Sequence, residues 1–79
     1  MMKLRIITPT GCNVEAAVTK VFLPGGAGAF EVLQGHAPIV STLEKGSVRY
    51  EEGGRMKEYA VENGFVEVEN DTILVCTDK

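Results

Sequence analysis

The chain has 79 residues, of which 44% are hydrophobic and 24% are charged, and its formal net charge is −3. A chain of this length builds one small hydrophobic core, so we expect a single domain over residues 1–79. Its 8 basic side chains are scattered among 11 acidic ones, which disfavours binding to nucleic acid or to anionic lipid.

The first predicted element is a strand at the N-terminus that contains Leu4, Ile6 and Ile7. The opening residues MMKLRIITPTG lack the small-residue cleavage site of a signal peptide. No apolar run in the chain approaches the roughly 20 residues of a membrane-spanning helix. These features indicate a cytosolic protein.

Residues 13–24, NVEAAVTKVFLP, carry mixed conformational preferences. The residues at 15–17 favour helix, whereas the β-branched and aromatic residues that follow them favour strand. We predict a strand over this segment.

A glycine-rich segment follows at residues 23–35, with the sequence LPGGAGAFEVLQG. A dinucleotide-binding fingerprint requires Gly or Ala at the position of Glu31, and a phosphate-binding loop requires Gly-Lys-Ser/Thr, which is absent from the sequence. We therefore interpret the segment as a surface loop with no role in nucleotide binding.

Residues 33–46 read LQGHAPIVSTLEKG and contain the single histidine of the chain. Pro38 fixes its own φ and biases Ala37 towards an extended conformation, while Gly35 relaxes the backbone before them. The loop should therefore hold one shape and present His36 at its apex, where another protein could pack against the ring.

The next residues predict a hairpin. Val48 and Tyr50 alternate with polar residues within 47–52, which is typical of a strand with one wet face. Gly53-Gly54 suits a tight primed turn, and residues 55–62 then supply the partner strand.

A second hairpin is predicted around Asn70-Asp71, between the alternating residues 65–69 and a final strand at 72–77. The unbroken run Ile73-Leu74-Val75 indicates a strand that is covered on both faces. Regularly spaced short strands without a credible helix predict an all-β protein, built as an antiparallel β-sandwich or flattened barrel.

Cys12 and Cys76 are far apart in the sequence, and neither belongs to a C-x-x-C pair. With one histidine in the chain, the short-spaced ligand set of a zinc site cannot be assembled. We interpret both cysteines as reduced, partly buried small residues, and we expect no metal and no other cofactor.

Catalysis would need His36 to activate a nucleophile such as Ser41, Ser47 or one of the cysteines, and a third group to orient the ring. Nothing in the sequence marks these side chains as such a set. The neighbouring glutamates of the predicted strands are interpreted as solvated acids. We expect no enzymatic activity.

Two long stretches contain the most specific pattern: L-P-G-G-A-G-A-F-E-V-L-Q-G-H-A-P-I-V-S-T-L-E-K-G-S-V-R-Y from Leu23, and N-G-F-V-E-V-E-N-D-T-I-L-V-C-T-D at residues 63–78. Their order and spacing resemble the N-terminal β-sandwich domain of the epsilon subunit of F-type ATP synthases. That family carries a Pro-Gly-x-x-Gly turn, then Gly-His-Ala-Pro, Leu-x-x-Gly-x-Val-Arg and Gly-Gly-Phe-Val-Glu-Val. The resemblance covers nearly the whole chain.

The chain departs from the family pattern at three positions. Glu31 stands where the family usually has glycine, Gln34 where it usually has proline, and Asn63 where it has the first glycine of Gly-Gly-Phe. Family members also continue into a C-terminal helical hairpin, whereas this sequence stops at Lys79. We expect a naturally short form of the subunit.

The resemblance implies a non-catalytic subunit of the central stalk, which couples rotation of the gamma subunit to the membrane c-ring in ATP synthesis driven by ion transport. It implies a peripheral position at the cytoplasmic face of the bacterial inner membrane, and a chain that is monomeric when isolated. The contacts implied are Thr8, His36 and Ser41 with gamma, and Ala29, Phe30 and Glu31 with the c-ring.

Two other function classes stay open at this point. The chain could be a free-standing β-sandwich module that binds another protein outside ATP synthase, since a fold does not dictate a function. It could also be a small enzyme, which would require a pocket and a perturbed histidine.

Overall fold

Alternating apolar and polar residues produce nine strands, and the computed structural model, which describes residues 1–78, has no helix among them. The all-β prediction is confirmed. The strands are β1 (Met2–Thr8), β2 (Gly11–Val18), β3 (Lys20–Leu23), β4 (Phe30–Leu33), β5 (Ile39–Leu43), β6 (Gly46–Glu52), β7 (Arg55–Val61), β8 (Gly64–Glu69) and β9 (Thr72–Thr77).

The strands form two sheets that face each other. One sheet has five strands in the order β2-β1-β9-β8-β5, and the other has four in the order β4-β3-β6-β7. The ladders between these strands are antiparallel except for β1 and β9, which run parallel. The antiparallel prediction is corrected at this pair. Parallel neighbours need a long connection, and the chain between β1 and β9 is long enough to include all the strands of the other sheet.

The segment at residues 13–24 is strand, as predicted, but it is divided between the two sheets. β2 ends at Val18 and β3 begins at Lys20. Thr19 forms the corner: its N–H donates to the carbonyl oxygen of Glu51 at 3.0 Å, and its hydroxyl donates to Oε1 of the same residue at 2.6 Å. These bonds attach the corner to β6.

The core lies between the sheets and is built from every second residue of the strands. Full burial of a valine, leucine or isoleucine side chain contributes about 1.5–3 kcal/mol to the free energy of unfolding. The buried hydrophobic residues are Met2, Leu4, Ile6, Ala16, Val18, Val21, Leu23, Val32, Leu43, Val48, Tyr50, Val61, Val66, Val68, Ile73 and Val75.

Both predicted turns form with the left-handed backbone that primed hairpin turns require. Gly53 and Gly54 have φ values of 59° and 79°, and Asn70 and Asp71 have values of 50° and 58°. Asparagine and aspartate tolerate this region better than other side chains do, which explains their place in the second turn.

An exposed ion pair spans the hairpin formed by β6 and β7. Lys57 Nζ donates to Glu52 Oε1 at 2.8 Å. This hydrogen bond, together with the attraction of the carboxylate, raises the pKa of Lys57. Because the pair is exposed to solvent, it orients the two side chains more than it stabilises the fold.

Isolated hydrogen bonds connect the two sheets at both sides of the sandwich. On one side Asn13 Nδ2 donates to the hydroxyl of Tyr59 at 2.8 Å, which joins β2 to β7. On the other side the N–H of Gly26 donates to the carbonyl of Thr42 at 2.9 Å, which joins the glycine-rich loop to β5. These bonds add to the apolar packing that holds the two sheets together.

The strand register defines two opposite ends. Thr8 faces Gly11 where β1 turns into β2, and we name this the Thr8 end. At the opposite end the N–H of Gly35 donates to Asp71 Oδ1 at 2.8 Å. We name it the His36 end, because the loop that carries His36 lies there.

Candidate interaction surface

The loop around His36 has the single, tied-down shape that its sequence predicts. The N–H of His36 donates to the carbonyl of Leu33 at 3.1 Å, and Gly35 takes a φ of 83°. The half-buried ring folds back on its own chain, with Nδ1 2.7 Å from the carbonyl oxygen of Ala37. Since a carbonyl only accepts, the ring proton belongs on Nδ1.

Asp71 fastens this loop to the β8–β9 turn, and its replacement tests that contact. We expect Asp71→Ala to lower the free energy of unfolding by about 1–2 kcal/mol, because it removes the acceptor for Gly35 and places alanine at a positive φ. Urea unfolding measures the change. Asp71→Asn keeps both an acceptor and the turn preference, so it should cost less than about 0.5 kcal/mol; equal losses would contradict the role given to the contact.

The three predicted gamma contacts do not form one patch. Thr8 is buried at the Thr8 end, where its hydroxyl donates to the carbonyl of Gly11 at 3.2 Å. Ser41 is half-buried on the inner side of β5 and donates to the carbonyl of Thr42 at 2.9 Å. His36 lies at the opposite end from Thr8. A partner that touched all three would have to extend along the full length of the sandwich.

The three predicted c-ring contacts are adjacent and share one edge of the four-stranded sheet. Phe30 is half-buried and packs against the core, close to Gly25, where a side chain would meet its ring. Ala29 and Glu31 on either side of it are exposed. Phe30 thus anchors the segment, and its two neighbours are the residues open to a partner.

A larger surface was not predicted from the sequence. It is the side of the five-stranded sheet that points away from the core, and we call this side the outer face. Phe65 is 48% exposed on it and Val40 69%. Residues of β1, β9 and β8 stand in cross-strand rows on this face. The rows are Ile7–Cys76–Phe65, Arg5–Leu74–Glu67 and Lys3–Thr72–Glu69.

Two sequence features could have revealed the outer face. The pair Ile6-Ile7 and the run Ile73-Leu74-Val75 place apolar side chains on both sides of neighbouring central strands. The final strand, β9, was predicted to be covered on both faces. Ile73 and Val75 are buried on the core side, as predicted, but Leu74 on the opposite side is only half-buried. Exposed apolar side chains such as Phe65 and Val40 among charged neighbours make the outer face a candidate protein-binding surface.

The cysteines are free, but their surroundings differ. Cys76 is half-buried in the centre of the outer face, as predicted. Cys12 is exposed, so the prediction of partial burial is wrong for it, because it lies on the edge strand β2. No group of three or more His, Cys, Asp or Glu side chains among residues 1–78 is arranged to hold a metal ion.

Fold and surface together define a class. The molecule is a small two-sheet β-sandwich with an open, partly apolar sheet face, which is the form of a protein-interaction domain. No helix in residues 1–78 has the length and apolar character to cross a membrane.

The comparisons with known proteins give the particular family. The family model described as ATP synthase, Delta/Epsilon chain, beta-sandwich domain matches residues 1–79. The chain therefore belongs to this family. It is 39% identical over 77 residues to the ATP synthase epsilon chain of Myxococcus xanthus, covering 98% of this chain and 57% of that protein.

A second relative agrees, the ATP synthase epsilon chain of Desulfitobacterium hafniense strain DSM 10664 / DCB-2. It is 36% identical over 75 residues, which cover 95% of this chain and 57% of the relative. The chain thus spans somewhat more than half the length of these relatives.

Solved structures show the same fold. A chain in the cryo-EM structure of the Euglena gracilis mitochondrial ATP synthase superposes with a TM-score of 0.91 at 22% identity, over 99% of this chain and 51% of that one. A chain in the Tetrahymena thermophila mitochondrial ATP synthase central stalk and c-ring superposes with a TM-score of 0.83 at 12% identity, over 99% and 63%.

Proposed function

We propose that the chain is a non-catalytic, epsilon-type subunit in the central stalk of an F-type ATP synthase, where it couples rotation of the gamma subunit to the c-ring in ATP synthesis driven by ion transport. Family membership over residues 1–79 supports this proposal. The relatives carry the name ATP synthase epsilon chain. Within a bacterium the subunit would sit at the cytoplasmic face of the inner membrane, attached through the complex.

The observation that carries the proposal is the outer face of a sandwich whose sheets are held together by apolar packing and hydrogen bonds. Rotational coupling needs a rigid element with two separate contacts, one for each partner. The outer face, with Leu74 and Phe65, supplies a broad surface for gamma. Ala29 and Glu31, on the other sheet, supply a second surface for the c-ring. Torque applied at one contact is transmitted through the intervening ladders.

Purification of the complex tests this function. The tagged chain is expressed in its source organism, membranes are solubilised in mild detergent, and the proteins that accompany the chain are identified by mass spectrometry. Gamma and c subunits are expected. Recovery of the chain with an unrelated protein, and without them, would favour the free-standing binding module.

His36 lies at the His36 end and outside the rows of the outer face, so it tests whether the gamma contact extends from that face to this end. We expect His36→Ala to weaken binding to purified gamma by about thirtyfold, since a packed interface anchor contributes about 2 kcal/mol. Its unfolding free energy should change by less than about 0.5 kcal/mol. Gln34→Ala, an exposed residue of the same loop, is the matched control. Equal affinities of wild type and His36→Ala would remove His36 from the interface.

A further inference from the structure

The outer face carries opposite charges on two columns of side chains. On β1 the outward charged residues are basic, and on β8 they are acidic, while the outward residues of β9 between them are neutral. The basic column is Lys3 and Arg5, the acidic column is Glu67 and Glu69, and the neutral column is Thr72, Leu74 and Cys76. The register places one residue of each column in two of the three rows, Arg5–Leu74–Glu67 and Lys3–Thr72–Glu69.

The two charged columns do not neutralise each other within the chain. Strands lie about 4.8 Å apart, so the columns are separated by about 10 Å across β9. The ion pairs among residues 1–78 are Arg5–Glu15 and Lys57–Glu52, neither of which joins the columns. Nε of Arg5 lies 3.2 Å from Glu15 Oε2 but has no hydrogen-bond partner in the described chain. Lys3 and the acidic column therefore have no ion-pair partner among residues 1–78, whereas Arg5 would be shared between Glu15 of its own chain and an acidic group of a partner.

A second copy of this chain has the required pattern. A twofold axis that runs along β9 in the plane of the interface turns two outer faces towards each other and exchanges β1 with β8. Lys3 then faces Glu69 of the second copy, Arg5 faces its Glu67, and Ile7 faces its Phe65. Leu74 and Cys76 lie on the axis and face themselves. Every row becomes complementary at once.

We propose that the outer face is an isologous interface through which two copies of this chain associate. Sheets that stack face to face lie about 10 Å apart, a distance that paired lysine and glutamate side chains can bridge. The apolar row of Ile7 and Phe65 supplies the hydrophobic contact, and the charged rows fix the orientation.

The association should be weak and reversible. Of the three rows on the outer face only Ile7–Cys76–Phe65 is apolar throughout, so the face offers less hydrophobic contact than the core of a stable interface. The expectation of a monomer, drawn from the sequence, would then hold for dilute chain only. Because the gamma subunit would occupy the same face, only chains that are not assembled into ATP synthase would form the dimer.

Charge reversal on the two columns tests the proposed orientation on the isolated chain, independently of any ATP synthase partner. The variants are Lys3→Glu and Glu69→Lys, which alter exposed side chains outside both ion pairs. Each is studied alone and in an equimolar mixture by sedimentation from micromolar to millimolar concentration. Glu62→Lys, an exposed position outside the outer face, controls for the change in net charge.

Wild type and Glu62→Lys should approach the mass of a dimer at the highest concentration. Each reversed variant should dimerise at least tenfold more weakly, because like charges face each other twice. Their mixture should recover a heterodimer with wild-type affinity, since both contacts are then complementary. A wild-type chain that stays monomeric at millimolar concentration, or a mixture no tighter than its components, would overturn the proposal.

The cysteines give a second measurement that does not depend on charge. Across the axis two Cys76 thiols are neighbours, whereas two Cys12 thiols, each two strands from the axis, are about 20 Å apart or more. A short bis-maleimide, which adds one thiol at each end, should link Cys12→Ser chains through Cys76 at least tenfold faster than Cys76→Ser chains through Cys12. Equal rates would show that the axis does not run along β9.

Discussion

Replacing Gly64 with alanine is expected to lower the free energy of unfolding by more than about 3 kcal/mol, a large part of the 5–15 kcal/mol typical of a domain. Gly64 begins β8 with a φ of 149°, a conformation that is essentially restricted to glycine. An added Cβ would also overlap the carbonyl oxygen of Cys76 and lie 3.0 Å from the Cα of Thr77. These are backbone atoms of β9, which cannot move without breaking the ladder.

Gly11→Ala is the matched control, because Gly11 has a similar φ of 132° but no atom within 4 Å of the added Cβ. It should cost only the backbone strain, about 1–3 kcal/mol. Urea unfolding of both variants, followed by circular dichroism, gives the difference that belongs to the steric overlap. If the two substitutions cost the same, the close approach of β9 is not what requires glycine at position 64.

Phe65→Ser is expected to reduce the affinity for gamma by thirtyfold or more while leaving the fold intact. Truncating a central aromatic residue in an interface costs about 2–4 kcal/mol in binding, and the ring of Phe65 is the largest exposed apolar group on the outer face. Since it is 48% exposed, its loss should change stability much less. This expectation depends on the proposed function, and titration calorimetry with purified gamma measures it.

Leu33→Ser is the control, because Leu33 is 50% exposed on β4 of the other sheet. Its affinity for gamma should remain within about threefold of wild type, as expected of a substitution outside the interface. A larger loss for Leu33→Ser than for Phe65→Ser would place gamma on the four-stranded sheet and would leave the outer face to another partner.

The parts of the fold that depend on neighbours in sequence could be predicted from the sequence. Gly53-Gly54 and Asn70-Asp71 mark their turns because few other residues accept positive φ. The corner at Thr19 could not be located, because it is made by bonds to Glu51, 32 positions away. The parallel pairing of β1 with β9 is equally non-local, and alternation alone carries no information about it.

The candidate site was only partly predictable for the same reason. The shape of the His36 loop follows from its own proline and glycine, so it could be expected. The outer face depends on which strands become neighbours, since Ile7, Phe65 and Cys76 meet only after the sheet has formed. Thr8 is polar and ends a strand, which suggests exposure, yet its hydroxyl is satisfied within the turn and the side chain is buried.

The parallel contact between β1 and β9 also determines when this molecule can fold during synthesis on the ribosome. β9 lies between β1 and β8, so until Thr72–Thr77 has emerged the five-stranded sheet can exist only as two separate strand pairs, β1–β2 and β5–β8, with open edges. Pairs such as Leu4 with Ile73 close a loop of almost the whole chain, which slows folding towards milliseconds or seconds. The nascent chain can therefore complete its five-stranded sheet only after β9 has left the ribosome, however stable the finished sandwich is.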